Sequence, residues 1–220
     1  MTLRDELWAG AAPIYDKIMD HPFVRGLTDG SLPKETFHHY IVQDAHYLRG
    51  YARALAVCAA KAPTEDDTAM FNGHASGAIE AEQQMHAEFM GDLGSSPEEA
   101  AREPLTPTTR AYTSYLLATT FGGSFAEGLG AVLPCYWIYA RVGAALYERS
   151  SPNSLYARWI AAYGGEEFQE IVAEVLRVTD RVGEEISPAE RARTHEHFVT
   201  TSRYEWMFWD AAWRHETWPV

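Results

Sequence analysis

The sequence predicts an all-α protein, a single-domain helical bundle that covers residues 1–220 with about eight or more helices. Apolar residues recur at helical spacing along most of the chain, whereas the apolar–polar alternation typical of strands is nearly absent. Residues that start helices precede these segments, and the breaks between segments are too short to be domain linkers.

The first half of the chain contains three predicted helices. Residues 3–19 form the first, and Pro13 inside it predicts either a kink or a division into two shorter helices. Residues 33–60 form the second, with Pro33 in the first turn, where proline is tolerated. Thr64 caps the third, which runs to about residue 93.

The second half of the chain predicts six further helices, several of which begin at a capping residue followed by proline. Ser124 and Glu127 have the spacing of a capping box, in which each side chain binds the backbone N–H of the other residue. The predicted helices are a short one after Ser96, residues 106–122, residues 124–146, a short one that ends at Tyr163, residues 166–182 and residues 187–215.

Composition and charge exclude several classes of partner. The formal charge is −13, and no basic stripe or glycine-rich phosphate loop offsets it, which disfavours nucleic acid and anionic membranes. Cys58 and Cys135 give neither metal-ligand spacing nor a disulfide framework, which suits a reducing cytoplasm. The N-terminus lacks a signal-peptide pattern, and the longest apolar run, residues 128–140, is too short to span a bilayer. We therefore expect a soluble cytoplasmic protein.

Metal-ligand patterns are sparse. A carboxylate-bridged di-iron bundle needs Glu-x-x-His on two helices and two further glutamates, and only residues 35–38 match that motif. Glu82 and His86 share a helix face at a spacing that favours a structural pair. His21 could ligate haem in principle, although a role at a helix boundary is favoured. We expect no metal and no cofactor.

The thiol of Cys135 is the first candidate for chemistry. It follows Pro134 inside an apolar helix, and because proline lacks an N–H and crowds the carbonyl of Gly130, we expect the helix to bend or open one turn before the cysteine. Tyr139 lies four residues later and shares the face of the thiol. Taken alone, these residues leave two alternatives open: a nucleophile that meets a planar substrate, or a small buried hydrophobe.

Two carboxylates lie among aromatic residues. Asp44 belongs to a stripe with Tyr40, Tyr47 and Tyr51 on one helix face, so it either points at water or has buried partners. Glu205 lies among large hydrophobes, where desolvation would raise its pKa toward the range that a general acid needs. The alternatives are an exposed helix edge for the stripe that contains Asp44, and a purely structural hydrogen bond for Glu205.

The chain resembles the TenA / thiaminase II family over essentially its whole length. Four motifs in matching order and spacing carry the resemblance: Asp44-x-x-Tyr47, Leu133-Pro134-Cys135-Tyr136-Trp137, Tyr163-Gly164-Gly165-Glu166-Glu167-Phe168 and Tyr204-Glu205-x-x-Phe208. The resemblance implies a haem-oxygenase-like fold that binds no haem, and usually a homotetramer. It also implies hydrolysis of an exocyclic C–N bond on 4-amino-5-aminomethyl-2-methylpyrimidine or thiamin, giving 4-amino-5-hydroxymethyl-2-methylpyrimidine in salvage of the thiamin pyrimidine.

The family pattern also implies roles for site residues. Cys135 is the expected nucleophile, Asp44 accepts hydrogen bonds from the 4-amino group and a ring nitrogen, and Glu205 moves protons to the leaving group and from water. Five aromatic residues would bind or stack the pyrimidine ring: Tyr47, Tyr112, Tyr139, Tyr163 and Phe208. Two other classes stay open, because the same pocket would serve a non-catalytic aminopyrimidine-binding or regulatory protein, and some distant relatives of this architecture are iron- or O₂-using enzymes.

Overall fold

Ten α-helices and no strand make up the chain, whose backbone the computed structural model describes from residue 1 to residue 220. All side chains are described except those of Glu82, Met85, His86, Ala87 and Pro97, so the predicted pair of Glu82 and His86 lies outside the described side chains. The helices are α1 (Leu3–Met19), α2 (Pro22–Asp29), α3 (Lys34–Lys61), α4 (Glu65–Leu93), α5 (Pro97–Ala100), α6 (Pro107–Gly122), α7 (Phe125–Tyr147), α8 (Ser154–Gly164), α9 (Glu166–Glu185) and α10 (Pro188–Trp213). The prediction of an all-α fold is confirmed.

Side-chain caps set most of these boundaries. The capping box predicted at the start of α7 is formed, because the Glu127 N–H donates to Ser124 Oγ at 3.3 Å and the Ser124 N–H donates to Glu127 Oε2 at 2.8 Å. The side chains of Thr64, Thr106 and Ser187 cap α4, α6 and α10, each accepting from the N–H three residues later.

The N-terminal region differs from the prediction in two respects. Helix α1 is continuous through Pro13, so a division into two helices is wrong; the packing of α1 against α9 and α10 outweighs the one hydrogen bond that proline removes. Helix α2 was not predicted. His21 is its N-cap, with Nδ1 accepting from the Phe23 N–H at 3.2 Å, and Pro22 fills its first turn.

Helix α7 is the central element, with α3, α6, α8, α9 and α10 packed around it. It is long and apolar enough to cross a membrane by length and composition, but most of it is buried among the other helices, as in a core helix. Its approach to α10 is very close at Gly130, where a Cβ would lie 2.6 Å from the Thr194 carbonyl oxygen. The glycine that the sequence places before Pro134 therefore admits the backbone of α10.

Candidate active site

The two cysteines lie in different environments, because only Cys135 keeps part of its surface accessible. Cys58 is 1% exposed and packs in the core as a small hydrophobe. Cys135 keeps part of its surface accessible, although Pro134 before it and Tyr136 after it are buried. Helix α7 is not interrupted at Pro134, so the expected opening of the helix does not occur. Of the two cysteines, Cys135 is therefore the one that a small molecule could reach.

The surroundings of Cys135 keep its thiol protonated at neutral pH. The low-dielectric interior raises the pKa of Cys135 well above its usual range, and the negative charges of Glu205 and Asp44 raise it further. The hydroxyls of Tyr47 and Tyr51 approach the thiol and lower this pKa, but with a smaller effect than burial. A reaction at the sulfur therefore requires an acceptor for its proton.

Glu205 is a buried carboxyl whose protonation changes near neutral pH. It lies on α10 and is 1% exposed, and Tyr112 Oη of α6 donates a hydrogen bond of 2.6 Å to Glu205 Oε1. Burial raises the pKa of Glu205 to about 8; the Tyr112 hydrogen bond lowers it, and the charge of Asp44 raises it. This is the direction that the aromatic surroundings of Glu205 in the sequence led us to expect.

Rings from three helices meet beside this carboxyl. The Tyr47 ring of α3 lies 4.9 Å from the Tyr112 ring of α6 and 5.6 Å from the Phe208 ring of α10, between centroids. The Tyr40 ring lies 5.7 Å from the Phe208 ring at an interplanar angle of 81°. These contacts form one wall of aromatic residues, drawn from segments far apart in the chain.

A second group of rings continues the wall along α7 and α8. The rings of Tyr139 and Tyr163 lie 4.9 Å apart, and the Tyr40 hydroxyl donates a 3.3 Å hydrogen bond to the Tyr139 hydroxyl. Asp44 is 3% exposed, and its charge raises the pKa of both Tyr139 and Tyr163, with burial as the larger cause. The structure thus brings together all eight residues that the family pattern singles out.

Several buried donors in this region have no partner among the described residues. The Tyr47 hydroxyl is close enough to lower the pKa of the Cys135 thiol, yet it completes no hydrogen bond. The indole N–H groups of Trp159 and Trp209, both fully buried, are also without an acceptor. Since buried polar groups are normally satisfied, these donors suit a polar ligand or ordered water beside them.

Among the described residues, no group of three or more His, Cys, Asp or Glu side chains could hold a metal ion. The side chains gathered at the site supply a thiol, two carboxyls and several phenols. Such a set can add a nucleophile to a flat ring and move protons to and from it.

Comparison with known proteins assigns this chain to a protein family. A model of the TENA/THI-4/PQQC family matches residues 8–215. The chain belongs to this family. An aminopyrimidine aminohydrolase of Bacillus subtilis (strain 168) is 38% identical over 218 residues, which cover 99% of this chain and 92% of the relative.

Solved structures support the same assignment. A TenA homologue protein from P. horikoshii OT3 has a TM-score of 0.90 at 31% identity, covering 97% of this chain and 99% of that one. A domain of unknown function with a haem-oxygenase-like fold from Shewanella denitrificans has a TM-score of 0.76 at 16% identity, covering 96% and 92%, which is a likeness of fold alone. The predictions of the family, of the haem-oxygenase-like fold and of an enzyme are confirmed.

The family motifs did not include every residue that forms the site. Tyr40 and Tyr51 belong to the stripe that contains Asp44, so their helical spacing already pointed to the site, although neither was singled out. Trp159 was missed; its ring lies 4.7 Å from that of Tyr163 on the same helix, α8. The close approach of Gly143 was also missed: a Cβ there would lie 2.6 Å from the Gly164 nitrogen, so this glycine lets the end of α8 settle on α7.

Proposed function

We propose that this chain hydrolyses the exocyclic C–N bond of 4-amino-5-aminomethyl-2-methylpyrimidine, and also that of thiamin, in salvage of the thiamin pyrimidine. The observation that carries the proposal is the buried Glu205 carboxyl, with a pKa of about 8, among the same aromatic residues as Cys135, which keeps part of its surface accessible. Family relatives named aminopyrimidine aminohydrolase that cover nearly the whole chain support the substrate class.

The proposed reaction begins with addition of the Cys135 S–H across the pyrimidine ring. The sulfur forms a bond to a ring carbon, and the proton ends on a ring nitrogen that faces the Asp44 carboxylate. This route meets the need for a proton acceptor, because the protein interior disfavours a free thiolate. An ionised Asp44 would then accept a charge-assisted hydrogen bond from this ring N–H.

Glu205 carries the next two proton transfers in this proposal. When the aminomethylpyrimidine is the substrate, it donates its proton to the exocyclic amine while the C–N bond breaks, so that ammonia leaves. Water then adds to the exocyclic carbon and returns a proton to Glu205, and cleavage of the S–C bond restores the thiol. With the aminomethylpyrimidine as substrate, the balance is one water consumed and one ammonia released for each hydroxymethylpyrimidine. Thiamin would instead release its neutral thiazole and, after addition of water, one proton. The Tyr112 hydroxyl holds the Glu205 carboxyl throughout.

The aromatic wall would bind the pyrimidine by its faces. Aromatic rings prefer offset-stacked or edge-to-face contacts. Because the rings of Tyr139 and Tyr163 are tilted relative to each other, a flat ligand could contact one by its face and the other by its edge. The unpartnered Tyr47 hydroxyl supplies a polar contact.

We also propose a single domain and a cytoplasmic homotetramer, both of which rest on the sequence and the family pattern; light scattering on the purified protein tests the tetramer.

The test is to incubate the purified protein separately with the aminomethylpyrimidine and with thiamin, and to follow release of the hydroxymethylpyrimidine. We expect turnover of both, and no more than residual turnover after Cys135→Ser. Cys58→Ala is the matched control, because that thiol lies in the core, and it should retain turnover. Binding without turnover would instead support a non-catalytic aminopyrimidine-binding protein, and near-normal turnover by Cys135→Ser would exclude the covalent mechanism.

A further inference from the structure

The ring of Tyr112, the hydrogen-bond partner of Glu205, packs against the ring of Tyr204, the residue just before Glu205. The rings of Tyr112 and Tyr204 are nearly parallel, with an interplanar angle of 9° and centroids 5.1 Å apart. Successive residues on a helix point about 100° apart, so Tyr204 and Glu205 leave α10 in different directions. Tyr204 reaches α6, and Tyr112 on α6 reaches back to Glu205.

This arrangement is fixed from its outer side as well. The Tyr115 ring lies 5.7 Å from the Tyr204 ring at 49°, and Tyr115 follows Tyr112 by three residues on the same face of α6. The Tyr115 hydroxyl and His197 Nδ1 are 2.8 Å apart, and His197 lies on α10 two turns before Tyr204. A chain of contacts therefore leads to the buried Glu205 carboxyl, with residues of α10 and α6 in alternation: His197, Tyr115, Tyr204 and Tyr112.

The hydrogen bond at the inner end depends on where the Tyr112 ring sits. A phenol hydroxyl moves with its ring, so a small rotation of the ring would lengthen the 2.6 Å contact to Glu205 Oε1. Tyr204 is only half-buried, whereas Tyr112 and Glu205 are almost fully buried. A half-exposed aromatic face that lies parallel to Tyr112 limits that rotation and itself takes no part in the buried hydrogen bond.

We propose that Tyr204 is a positioning residue: its ring, stacked on Tyr112, fixes the Tyr112 hydroxyl against the Glu205 carboxyl. The requirement is for an aromatic face, so phenylalanine should replace Tyr204 and an aliphatic side chain should not. Because the Tyr112 hydrogen bond lowers the pKa of Glu205, its loss would raise that pKa. The other groups that act on this carboxyl, Asp44 of α3 and Cys135 of α7, remain unchanged in such variants.

The test compares Tyr204→Leu with Tyr204→Phe by infrared titration of the ligand-free protein. Loss of the protonated-carboxyl C=O band with rising pH reports the ionisation of Glu205, and Glu205→Gln assigns the band. We expect the midpoint of Tyr204→Leu to lie above that of the wild type, and Tyr204→Phe to match the wild type. If Tyr204→Leu does not fold, Tyr204→Met offers a flexible side chain of similar volume for the same comparison.

Kinetics provide a second readout, which rests on the proposed function. Tyr204→Leu should lower kcat about tenfold with KM little changed, and Tyr204→Phe should restore kcat, as expected for the loss of one hydrogen bond to a charged group. The proposal is overturned if Tyr204→Leu titrates as the wild type, or if Tyr204→Phe shifts the midpoint as far as Tyr204→Leu does. An absence of turnover in the wild type would contradict the proposed function only, because the infrared titration needs no substrate.

Discussion

The Tyr112 hydroxyl donates its 2.6 Å hydrogen bond to Glu205 in a part of the protein where neither residue has appreciable contact with solvent. Burial favours the neutral carboxyl and the hydrogen bond favours the ionised one, and burial has the larger effect on the pKa of Glu205. The carboxyl therefore carries a proton at neutral pH and still has a partner that stabilises its charge after the proton leaves. A residue that must first donate a proton and then take one back requires both properties.

The proposed acid role predicts how turnover depends on pH. Above a pH of about 8, Glu205 loses the proton that the leaving amine needs, so kcat/KM for the aminomethylpyrimidine should fall through that pH. Tyr112→Phe removes the hydrogen bond that lowers the pKa of Glu205, and should move this alkaline limb to higher pH. A pH–rate profile of the two proteins tests this, and a limb at the same pH in both would contradict it.

Glu205 also predicts a dependence of stability on pH. Its pKa is about 8 in the folded protein against an ordinary 4.5, so between these values the folded chain binds more protons than the unfolded chain. The stabilisation from this residue is therefore complete below about pH 4.5 and is lost as the pH rises through about 8. Because glutamine cannot ionise, the Tm of Glu205→Gln minus the Tm of the wild type should be larger at pH 9 than at pH 5. An equal difference at both pH values would argue against a raised pKa for the buried Glu205 carboxyl.

Local sequence patterns sufficed for most of the fold but not for the N-terminal region. The capping box at the start of α7 depends on two residues only three positions apart, Ser124 and Glu127, and both of its hydrogen bonds are formed. Helix α2 has eight residues and a histidine as N-cap, and its buried face packs against α8 and α10. Because that packing is tertiary, short-range patterns do not report it, and the same is true of the packing that keeps α1 continuous through Pro13.

The site was predictable along each helix but not between helices. Three- and four-residue steps placed Asp44 and Tyr47 on one face of α3, and that placement required no knowledge of the fold. The bond from Tyr112 to Glu205 joins residues 93 positions apart, so helical spacing could not report it. Nor could the sequence distinguish by pattern which cysteine keeps an accessible surface, since both lie in apolar helical segments.

The unpartnered hydroxyl of Tyr47 predicts a separation between activity and stability. Tyr47→Phe removes a buried donor that has no partner among the described residues, so the free energy of unfolding should stay the same or rise slightly. Turnover of the aminomethylpyrimidine should fall, because the substrate loses a polar contact. Chemical denaturation and steady-state kinetics measure the two effects.

Tyr156→Phe is the matched control for this change. The buried Tyr156 hydroxyl donates a 2.6 Å hydrogen bond to the Leu32 carbonyl, so its loss should cost about 1–2 kcal/mol of unfolding free energy and leave turnover unchanged. Destabilisation of similar size in Tyr47→Phe would show that the Tyr47 hydroxyl has a structural partner after all.

The contact between α7 and α10 predicts opposite effects for the same substitution at two helical glycines. Gly130→Ala would put a methyl group 2.6 Å from the Thr194 carbonyl oxygen, and the backbone there can yield only if α10 moves. We expect a loss of about 1–3 kcal/mol. Gly77→Ala on α4 meets nothing within 4 Å, and should gain about 0.5–1 kcal/mol from helix propensity alone. Urea denaturation of both variants tests the pair, and equal effects would contradict the close approach.

His39 of α3, which packs beside His215 at the end of α10, predicts that the stability of the protein is sensitive to acid. The ring of His39 stacks on that of His215 at 5.5 Å, and His215 Nε2 lies 2.8 Å from Thr36 Oγ1. Burial lowers the pKa of His39 to about 4, with smaller contributions in the same direction from His215 and His38 and an opposing one from Glu216. The folded chain therefore holds fewer protons at His39 than the unfolded chain between about pH 4 and the ordinary 6.5.

It follows that the stabilisation associated with a neutral His39 is complete above about pH 6.5 and is lost as the pH falls through about 4. His39→Gln cannot take up a proton there, so its Tm should fall less than that of the wild type between pH 7 and pH 4. His195→Gln on α10 controls for the substitution itself and should keep the wild-type slope. A parallel loss of Tm in His39→Gln and the wild type would mean that protonation of His39 does not oppose folding.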